Sequence, residues 1–230
     1  NALTSVNISD IEAWCRITFN ESQSNPLTFA HHLLLNGKEI VDLIIPDGIT
    51  SINDNAFEGC SDLASVTIHA GITSIGRGAF SECANLTNIT VDPENTKYDS
   101  RDNCNAIIET NTNTLISGCK TTSFPNNLSS IGEYAFYSYQ PNNFALTTLE
   151  IPGSVRTIGA FAFSGTSSLR SLILHEGLQT IGESAFSYYN GYTSGLTELV
   201  IPNTVTTIGD NATFRGNISV GIMHRKERSS

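Results

Sequence analysis

The chain has 230 residues, a formal net charge of −10 and an apolar fraction of 39%. This apolar fraction is enough for a packed core, yet no run of about 18 apolar residues is present, so we expect no membrane-spanning helix. The Lys and Arg residues are few and scattered, which argues against nucleic-acid binding, because that needs clustered cations to displace counterions. The Cys residues form no CxxC pairs, and we predict no cofactor.

Residues 1–40 lie outside the repeat described below and are predicted to form an N-terminal cap, which a solenoid needs over its first core layer. The stretch from Ser9 to Glu12 reads S-x-x-E, a capping box that predicts a helix over residues 10–19. Residues 33–35 and 38–41 flank Asn36-Gly37, a pair typical of a type I′ hairpin turn. The cap is therefore predicted to be a helix followed by a hairpin.

From residue 41 to 216 one pattern recurs in six copies, and one irregular unit after Val91 interrupts them. Its apolar anchors are Ile45-Pro46, Ile68, Val91, Phe124-Pro125, Ile151-Pro152, Leu174 and Ile201-Pro202. Most anchors are followed by an Ile and then by an Ala-Phe pair at a fixed distance. Such self-similarity predicts a β-rich α/β solenoid, in which short strands of successive copies stack in parallel and each Phe plugs the interior from a short helical turn.

The copy after Val91 lacks the Ala-Phe pair and is ten residues longer than the shortest copies. Two β-rich stretches flank Asn111-Thr112-Asn113, which predicts a hairpin insert over residues 100–120. Cys104 and Cys119 flank this hairpin, and whether they pair is open. Cys60 and Cys83 share one slot of adjacent copies where later copies have Tyr or Thr, so we predict buried free thiols there. Residues 217–230 lose the pattern and are predicted to be a C-terminal tail.

The repeat I-P-x-x-(V/I/L)-T-x-I-G-x-x-A-F-x-x-C-x-x-L-x-x-(L/V/I) resembles the BspA-like leucine-rich repeats of bacterial surface proteins. The cap stretch N-P-L-x-x-A-x-x-L-x-x-N-G from Asn25, and D-P-x-N-x-x-Y from Asp92, are also similar to that family. The resemblance implies a leucine-rich-repeat fold in a secreted or cell-surface protein of a host-associated anaerobe such as Bacteroides. It also implies adhesion to host proteins or other cells, and it carries no catalytic residues.

Two copies carry extra residues just after Ala-Phe, and these loops are the first candidate binding site. Their aromatic residues are Tyr137, Tyr139 and Phe144 in one loop and Tyr188, Tyr189 and Tyr192 in the other. Tyr mixed with Ser, Asn and Gly is the composition of paratopes, which combine rigid aromatic area with adaptable hydrogen bonding. The alternative is that these Tyr residues only cover the core behind longer loops.

The second candidate is the outward face of the stacked strands, just before each anchor. Its column is nearly uncharged and consists of Ile44, Thr67, Thr90, Glu150, Ile173 and Val200. Concave solenoid faces are common binding surfaces. An ordinary β-rich surface has the same composition, because β-branched residues are favoured in strands.

We find no sequence signature of a metal or catalytic site. His31-His32 has no carboxylate or Cys at ligand spacing, and the acidic run from Asp92 to Asp102 lacks the EF-hand pattern. No G-x-S-x-G, H-E-x-x-H or P-loop is present, so we predict no enzyme activity.

The chain begins with Asn1, and we interpret it as either a mature chain without its secretory signal or a trimmed fragment of a longer protein. We therefore expect a non-enzymatic adhesion or recognition module at the cell surface or outside the cell, with a host matrix or cell-surface protein as partner. Two alternatives remain open. One is a structural spacer in a larger surface protein, and the other is a glycan-capture protein.

Overall fold

The computed structural model describes residues 3–139, 146–188, 196, 198–212 and, for the backbone alone, 219–222. The cap comes first in the chain. Its elements are β1 (Val6–Ile8), α1 (Ile11–Cys15), a 3-10 turn at Ser22–Ser24, α2 (Leu27–Ala30), β2 (Leu33–Leu35) and β3 (Lys38–Glu39). The predicted helix is shorter than expected, and Asp10 rather than Ser9 is its N-cap, accepting from the N–H groups of Glu12 and Ala13. The predicted hairpin is present, with Asn36 and Gly37 at positive φ.

The repeats contribute short strands of two kinds. In chain order they are β4 (Asp42–Ile44), β5 (Ser51–Ile52), β6 (Ser65–Ile68), β7 (Ser74–Ile75), β8 (Asn88–Val91), β9 (Tyr98–Asp99), β10 (Ala106–Glu109), β11 (Thr114–Gly118), β12 (Ser130–Ile131), β13 (Thr148–Glu150), β14 (Thr157–Ile158), β15 (Ser171–Ile173), β16 (Thr180–Ile181), β17 (Glu198–Ile201), β18 (Thr207–Ile208) and β19 (Ser219–Ile222). The family of stacked strands predicted from the anchors is therefore present.

Strands of each kind stack on their counterparts in neighbouring copies. The strands that precede the anchors pair in parallel as β4-β6-β8, β13-β15 and β17-β19. The second row forms β5-β7 and a seven-stranded sheet in the order β18-β16-β14-β12-β11-β10-β9. Inward and outward side chains alternate along the described strands of the first row, as in β6, where Val66 and Ile68 are buried and Thr67 is exposed.

The Ala-Phe segments form a third row, and here the structure has hydrogen-bonded turns where the sequence predicted short helical turns. The backbone N–H groups alternate along each segment. One donates to the neighbouring copy, as from Phe57 to Ala79 and from Phe163 to Ala185, each at 2.8 Å, and the next donates within the segment, as from Glu58 to Asn55 at 3.1 Å. The Phe rings stack in the interior, with centroids 5.5 Å apart for Phe57 and Phe80. The predicted role of Phe as the interior plug is confirmed.

The hairpin insert, β10 with β11, divides the core into two clusters. The N-terminal core runs from Trp14 to Ile89 and takes in Tyr98, Ile107 and Cys119, and the C-terminal core runs from Cys104 to Ala212. Strand β10 is buried on both faces, because Ile107 packs into the N-terminal core and Ile108 into the C-terminal core, each 0% exposed. The register shifts between these two residues, which is a β-bulge.

All five thiols are free and buried. Cys60 and Cys83 are therefore unpaired, as predicted. Cys104 belongs to the C-terminal core and Cys119 to the N-terminal core, so the hairpin holds the two sulfurs on opposite sides. Their separation answers the question that the sequence left open.

The end of the chain differs from the predicted tail. Strand β19 lies within residues 217–230 and pairs in parallel with β17, from Glu198 opposite Ser219 to Ile201 opposite Ile222. The row of strands before the anchors therefore continues by one member. Sequence reasoning missed it because the leucine pattern is lost after Gly216.

Candidate functional site

The structure separates the six aromatic residues predicted to form a binding edge. Tyr139 is 50% exposed, whereas Tyr137 and Tyr188 are each only 9% exposed. Phe144, Tyr189 and Tyr192 lie outside the described residues. Of the described members, Tyr139 alone presents most of its ring to a partner.

The burial of Tyr137 and Tyr188 has clear packing reasons. The ring of Tyr137 packs edge-on against Tyr134, with centroids 5.0 Å apart, and against Phe161 at 6.4 Å. Tyr188 lies in the C-terminal core, and its hydroxyl donates to the carbonyl oxygen of Thr166 at 3.3 Å. These two residues cover the core, which is the alternative that the sequence allowed for them.

Tyr139 lines a groove of about 580 Å³ between the cap and the Ala-Phe row. We call this the cap groove. Its principal lining side chains are Phe29 and His31 from the cap, Glu58 and Glu82 from the first two copies, and Tyr137 and Tyr139 from the copy after Phe124. Three parts of the chain that are far apart in sequence therefore meet there.

The hairpin insert explains why these parts meet. In regular copies, the residue two after Phe donates its N–H to the residue after the next copy's Phe, as from Gly59 to Ser81 at 3.0 Å. Glu82 makes the same bond to Tyr137 at 3.3 Å, although a whole copy lies between them in sequence. Because the copy after Val91 has no Ala-Phe turn, this row skips it and places Glu82 beside the Tyr137–Tyr139 segment.

Glu58 is the most buried acid of the groove, at 2% exposed. Its Oε1 accepts from the hydroxyl of Ser22 at 2.7 Å, whereas its Oε2 is buried and has no hydrogen-bond partner among the described residues. Burial disfavours the charged form and raises the pKa of Glu58 to about 7, against the lowering effect of the Ser22 bond. The carboxyl group can therefore change its charge near neutral pH.

Glu82 occupies a slot that holds glycine in two other copies. Its φ is 58°, in the left-handed region, and the equivalent residues of two other copies are Gly59 and Gly165. A Cβ at Gly165 would lie 1.7 Å from the carbonyl oxygen of Ser138, so glycine is required there by space as well as by φ. At Glu82 the side chain is instead used, because its Oε1 accepts the N–H of Tyr139.

The outward strand face is also present as predicted, and we call it the ladder face. Ile44, Thr67 and Thr90 lie in register on β4, β6 and β8, with the two Thr hydroxyls 3.2 Å apart. Glu150 and Ile173 are in register on β13 and β15. Ile44 is 72% exposed and Ile173 is 45% exposed, while Val200 is half-buried.

The ladder face also includes a charged pair, beside strands β13 and β15. Glu150 Oε1 lies 2.8 Å from His175 Nε2, and both line an open depression of about 840 Å³. This depression is larger than the cap groove, but the side chains of Glu150 and His175 lie at the surface and already contact each other. The cap groove differs from it by holding a buried carboxylate oxygen with no described partner.

The structure brings His32 close to carboxylates that ligand spacing in the sequence did not reveal. Its Nδ1 lies 2.6 Å from Asp62 Oδ2, and together with Glu39 these residues bring one ligand atom each within 4.8 Å. Asp62 comes from the first repeat, 30 residues away, so spacing within the cap gave no signal. The hydrogen bond between His32 and Asp62 accounts for their proximity without an ion.

Comparison with known proteins agrees with this architecture. The profile of the BspA type leucine rich repeat region matches residues 28–138 and 105–220, in six copies. The chain therefore belongs to the BspA-type leucine-rich repeat family. A comparison with curated protein sequences finds no match.

Two solved structures share the fold. A leucine rich cell surface protein of Faecalibacterium prausnitzii A2-165 is 24% identical with a TM-score of 0.53, over 81% of this chain and 60% of that chain. The pneumococcal vaccine antigen PcpA is 22% identical with a TM-score of 0.63, over 83% of this chain and 44% of that chain. The chain thus spans less than two thirds of either structure. Among the described residues, none of the helices has the length and apolar character to cross a membrane.

Proposed function

We propose that the chain is a non-enzymatic recognition module that binds a protein partner through the cap groove, at the cell surface or outside the cell. One observation carries the proposal. Phe29 at 61% and Tyr139 at 50% are the exposed large aromatic side chains of the described part of the chain, and both line this groove. Exposed aromatic residues beside polar groups are typical of the anchors that dominate protein interfaces.

The family and the fold support the general class. Leucine-rich repeats form protein-interaction solenoids, and the two structures described above include a cell surface protein and a vaccine antigen. The adhesion role, a host matrix or cell-surface protein as partner, and the localisation are part of the proposal. The ladder face is the competing site on the same molecule, with Ile44 and Ile173 as its exposed apolar residues.

The test begins with a panel of purified extracellular matrix proteins and a glycan array, each measured for saturable binding to the intact chain. For a protein that binds, the double variant Phe29→Ala and Tyr139→Ala should weaken binding at least about thirtyfold, which corresponds to about 2 kcal/mol. Ile208→Ala is the matched control, because Ile208 is 48% exposed and does not line the groove.

Three other outcomes decide against the proposal. Binding that survives the groove variant and is lost when Thr67, Thr90 and Ile173 are changed to Lys places the site on the ladder face. Saturation by an oligosaccharide alone favours glycan capture. A chain that binds no member of the panel, and whose parent protein works equally well with the groove variant, is a spacer.

A further inference from the structure

We propose that the cap groove receives a Lys or Arg side chain of the protein partner, with its aliphatic stem against Phe29 and Tyr139 and its charged group at Glu58 and Glu82. This inference rests on the proposed function, because it names the chemistry of the group that enters the same groove. Three features of the groove support it, namely the charge of its lining, the unpartnered Oε2 of Glu58 and the backbone slot of Glu82.

The lining contributes carboxylates and no strong cation. Glu58 and Glu82 both line the groove, and its described lining contains neither Lys nor Arg. Arg77, which precedes Glu82 by five residues, lies 3.6 Å from Glu133 and 5.2 Å from the centroid of the Tyr134 ring. The basic side chain of the wall is His31, whose Nδ1 lies 3.4 Å from the carbonyl oxygen of Gly59. Charge complementarity therefore favours binding of a cationic group over binding of an anionic one.

The second feature is the unsatisfied oxygen of Glu58. Buried polar atoms are almost always hydrogen-bonded, and each exception calls for an explanation. Ser22 satisfies Oε1, while Oε2 has no partner among the described residues. An ammonium group brings three donors and a guanidinium group five, so either supplies the missing bond after a small side-chain movement. A neighbouring cation also favours the ionised carboxylate, which burial otherwise disfavours.

The third feature is the backbone at Glu82. Glycine holds a left-handed backbone at lower cost than any other residue, and two equivalent positions of this chain have it, Gly59 and Gly165. Other described non-glycine residues also have positive φ, among them Tyr134 and Phe161, so what distinguishes Glu82 is the bond that its side chain makes. The Glu82 carboxylate accepts the N–H of Tyr139, so it fixes the aromatic wall while facing the groove.

The aromatic side chains of the groove also favour a Lys or Arg side chain. Cations bind over aromatic faces, and the carbon stems of Lys and Arg cover apolar surface while their charged ends remain at polar groups. Phe29 is joined by exposed Leu3 in an adjacent depression of about 530 Å³, which extends the apolar surface beside the groove. A sugar can also stack on these rings, but it brings no charge to the carboxylates, and sugar binding is one outcome of the test.

The test uses the intact chain labelled with ¹⁵N and three peptides, acetyl-Gly-Lys-Gly-amide, its Arg counterpart and its norleucine counterpart. Titration at pH 8 and low salt should give saturable shifts of the backbone amides of Gly59 and Tyr139 with the Lys and Arg peptides. Norleucine keeps the aliphatic stem without the charge, and we expect it to bind at least about tenfold more weakly, equivalent to 1.4 kcal/mol.

Variants then assign the charge. Glu58→Gln with Glu82→Gln should weaken the Lys and Arg peptides at least about tenfold, whereas the exposed Glu183→Gln should leave them unchanged. Phe29→Ala, a surface change, should weaken all three peptides and keeps the test valid should the double variant fold poorly.

Equal binding of the three peptides overturns the inference, as does the absence of saturable shifts with both cationic peptides. Maltotriose that binds the groove and is not displaced by the Lys peptide also overturns it. These results leave the proposed function intact if a protein partner from the panel is still lost in the Phe29 and Tyr139 double variant. If the double variant binds that partner as well as the wild-type chain does, both the proposed function and this inference are wrong.

Discussion

The two cores on either side of the hairpin are built from the same repeat, yet they are packed differently. The C-terminal core contains three rings in one stack, with Phe163 lying 5.0 Å from Phe136 and 5.4 Å from Phe186. The N-terminal core has the pair Phe57 and Phe80. Between them, the insert replaces an Ala-Phe turn with a strand buried on both faces. A repeat protein can thus accept an irregular copy when that copy closes the two cores it separates.

The difference between the two cores also explains where the unusual acidic residues lie. The C-terminal copies repeat their backbone bonds regularly, whereas the N-terminal copies meet both the cap and the skipped row. At that junction lie the buried Glu58 and Glu82, whose carboxyl group accepts the N–H of Tyr139 from beyond the skipped copy. Sites arise in a solenoid where its regularity is interrupted, since regular neighbours satisfy each other's polar groups.

The largest expected effect is the loss of a stacked ring. Phe163→Ala should lower the free energy of unfolding by about 3–5 kcal/mol. Phe80→Ala should cost about 1 kcal/mol less, because Phe80 stacks on one ring in the described structure and Phe163 on two, and an aromatic pair contributes about 0.5–1.5 kcal/mol beyond its buried area. Urea unfolding measures both, with Phe163→Leu as the milder control. Equal losses would show that the two stacks are energetically alike.

The next prediction concerns the strand between the cores. Ile107→Ala and Ile108→Ala should each cost about 2–5 kcal/mol, because both side chains are fully buried. The two variants should differ in where the molecule loosens, since Ile107 belongs to the N-terminal core and Ile108 to the C-terminal core. Urea unfolding gives the cost of each substitution.

The reactivity of the free thiols shows which of the two cores has loosened. Cys60 and Cys83 lie in the N-terminal core and Cys104 in the C-terminal core, so native-state alkylation followed by mass spectrometry distinguishes the two. Ile107→Ala should accelerate labelling of Cys60 and Cys83 more than that of Cys104, and Ile108→Ala should do the reverse. Equal acceleration of all thiols in both variants would mean that the cores open as one cooperative unit.

Much of this fold could be predicted from the sequence, because the repeat period, the cap hairpin and the insert are written in local patterns. The period placed Phe57 and Phe163 in the interior, and Asn36-Gly37 marked its turn. The predicted short turns carry N–H bonds within the segment, and every second N–H group bonds to the neighbouring copy, which is a relation that one copy's sequence does not contain. Strand β19 was missed because its segment has no leucine and no Ala-Phe pair after it, although Val220 and Ile222 pair in register with Leu199 and Ile201.

The candidate site was less accessible to sequence reasoning. Tyr137 and Tyr139 are two residues apart and similar in chemistry, yet one packs on Tyr134 and Phe161 and the other is exposed. Phe29 lies in a cap helix and gave no signal. The partnership of Glu58 and Glu82 with Tyr139 depends on the skipped row, which only the three-dimensional stack defines. A signal was present in one place, because Glu82 occupies the slot that Gly59 and Gly165 fill.

The last prediction concerns how the stability of the N-terminal junction depends on pH. The folded chain holds the pKa of Glu58 at about 7, above the ordinary value of 4.5 that applies when unfolded. Between these values the folded state binds a proton that the unfolded state has lost, so stability falls as pH rises through this window and then levels off. Burying the group therefore costs at most about 3 kcal/mol above pH 7 and nothing below pH 4.

Glu58→Gln should flatten this fall between pH 5 and pH 7, as measured by urea unfolding across the range. Glu109→Gln is the contrasting control, because Lys97 lowers the pKa of Glu109 and the stability from that pair is lost only toward acid pH. Glu109→Gln should therefore keep the fall between pH 5 and pH 7. A wild-type chain whose stability is constant over this range would show that Glu58 stays ionised when folded. In that case its Oε2 has a partner, and the N-terminal junction is as well satisfied as the regular copies beyond the hairpin.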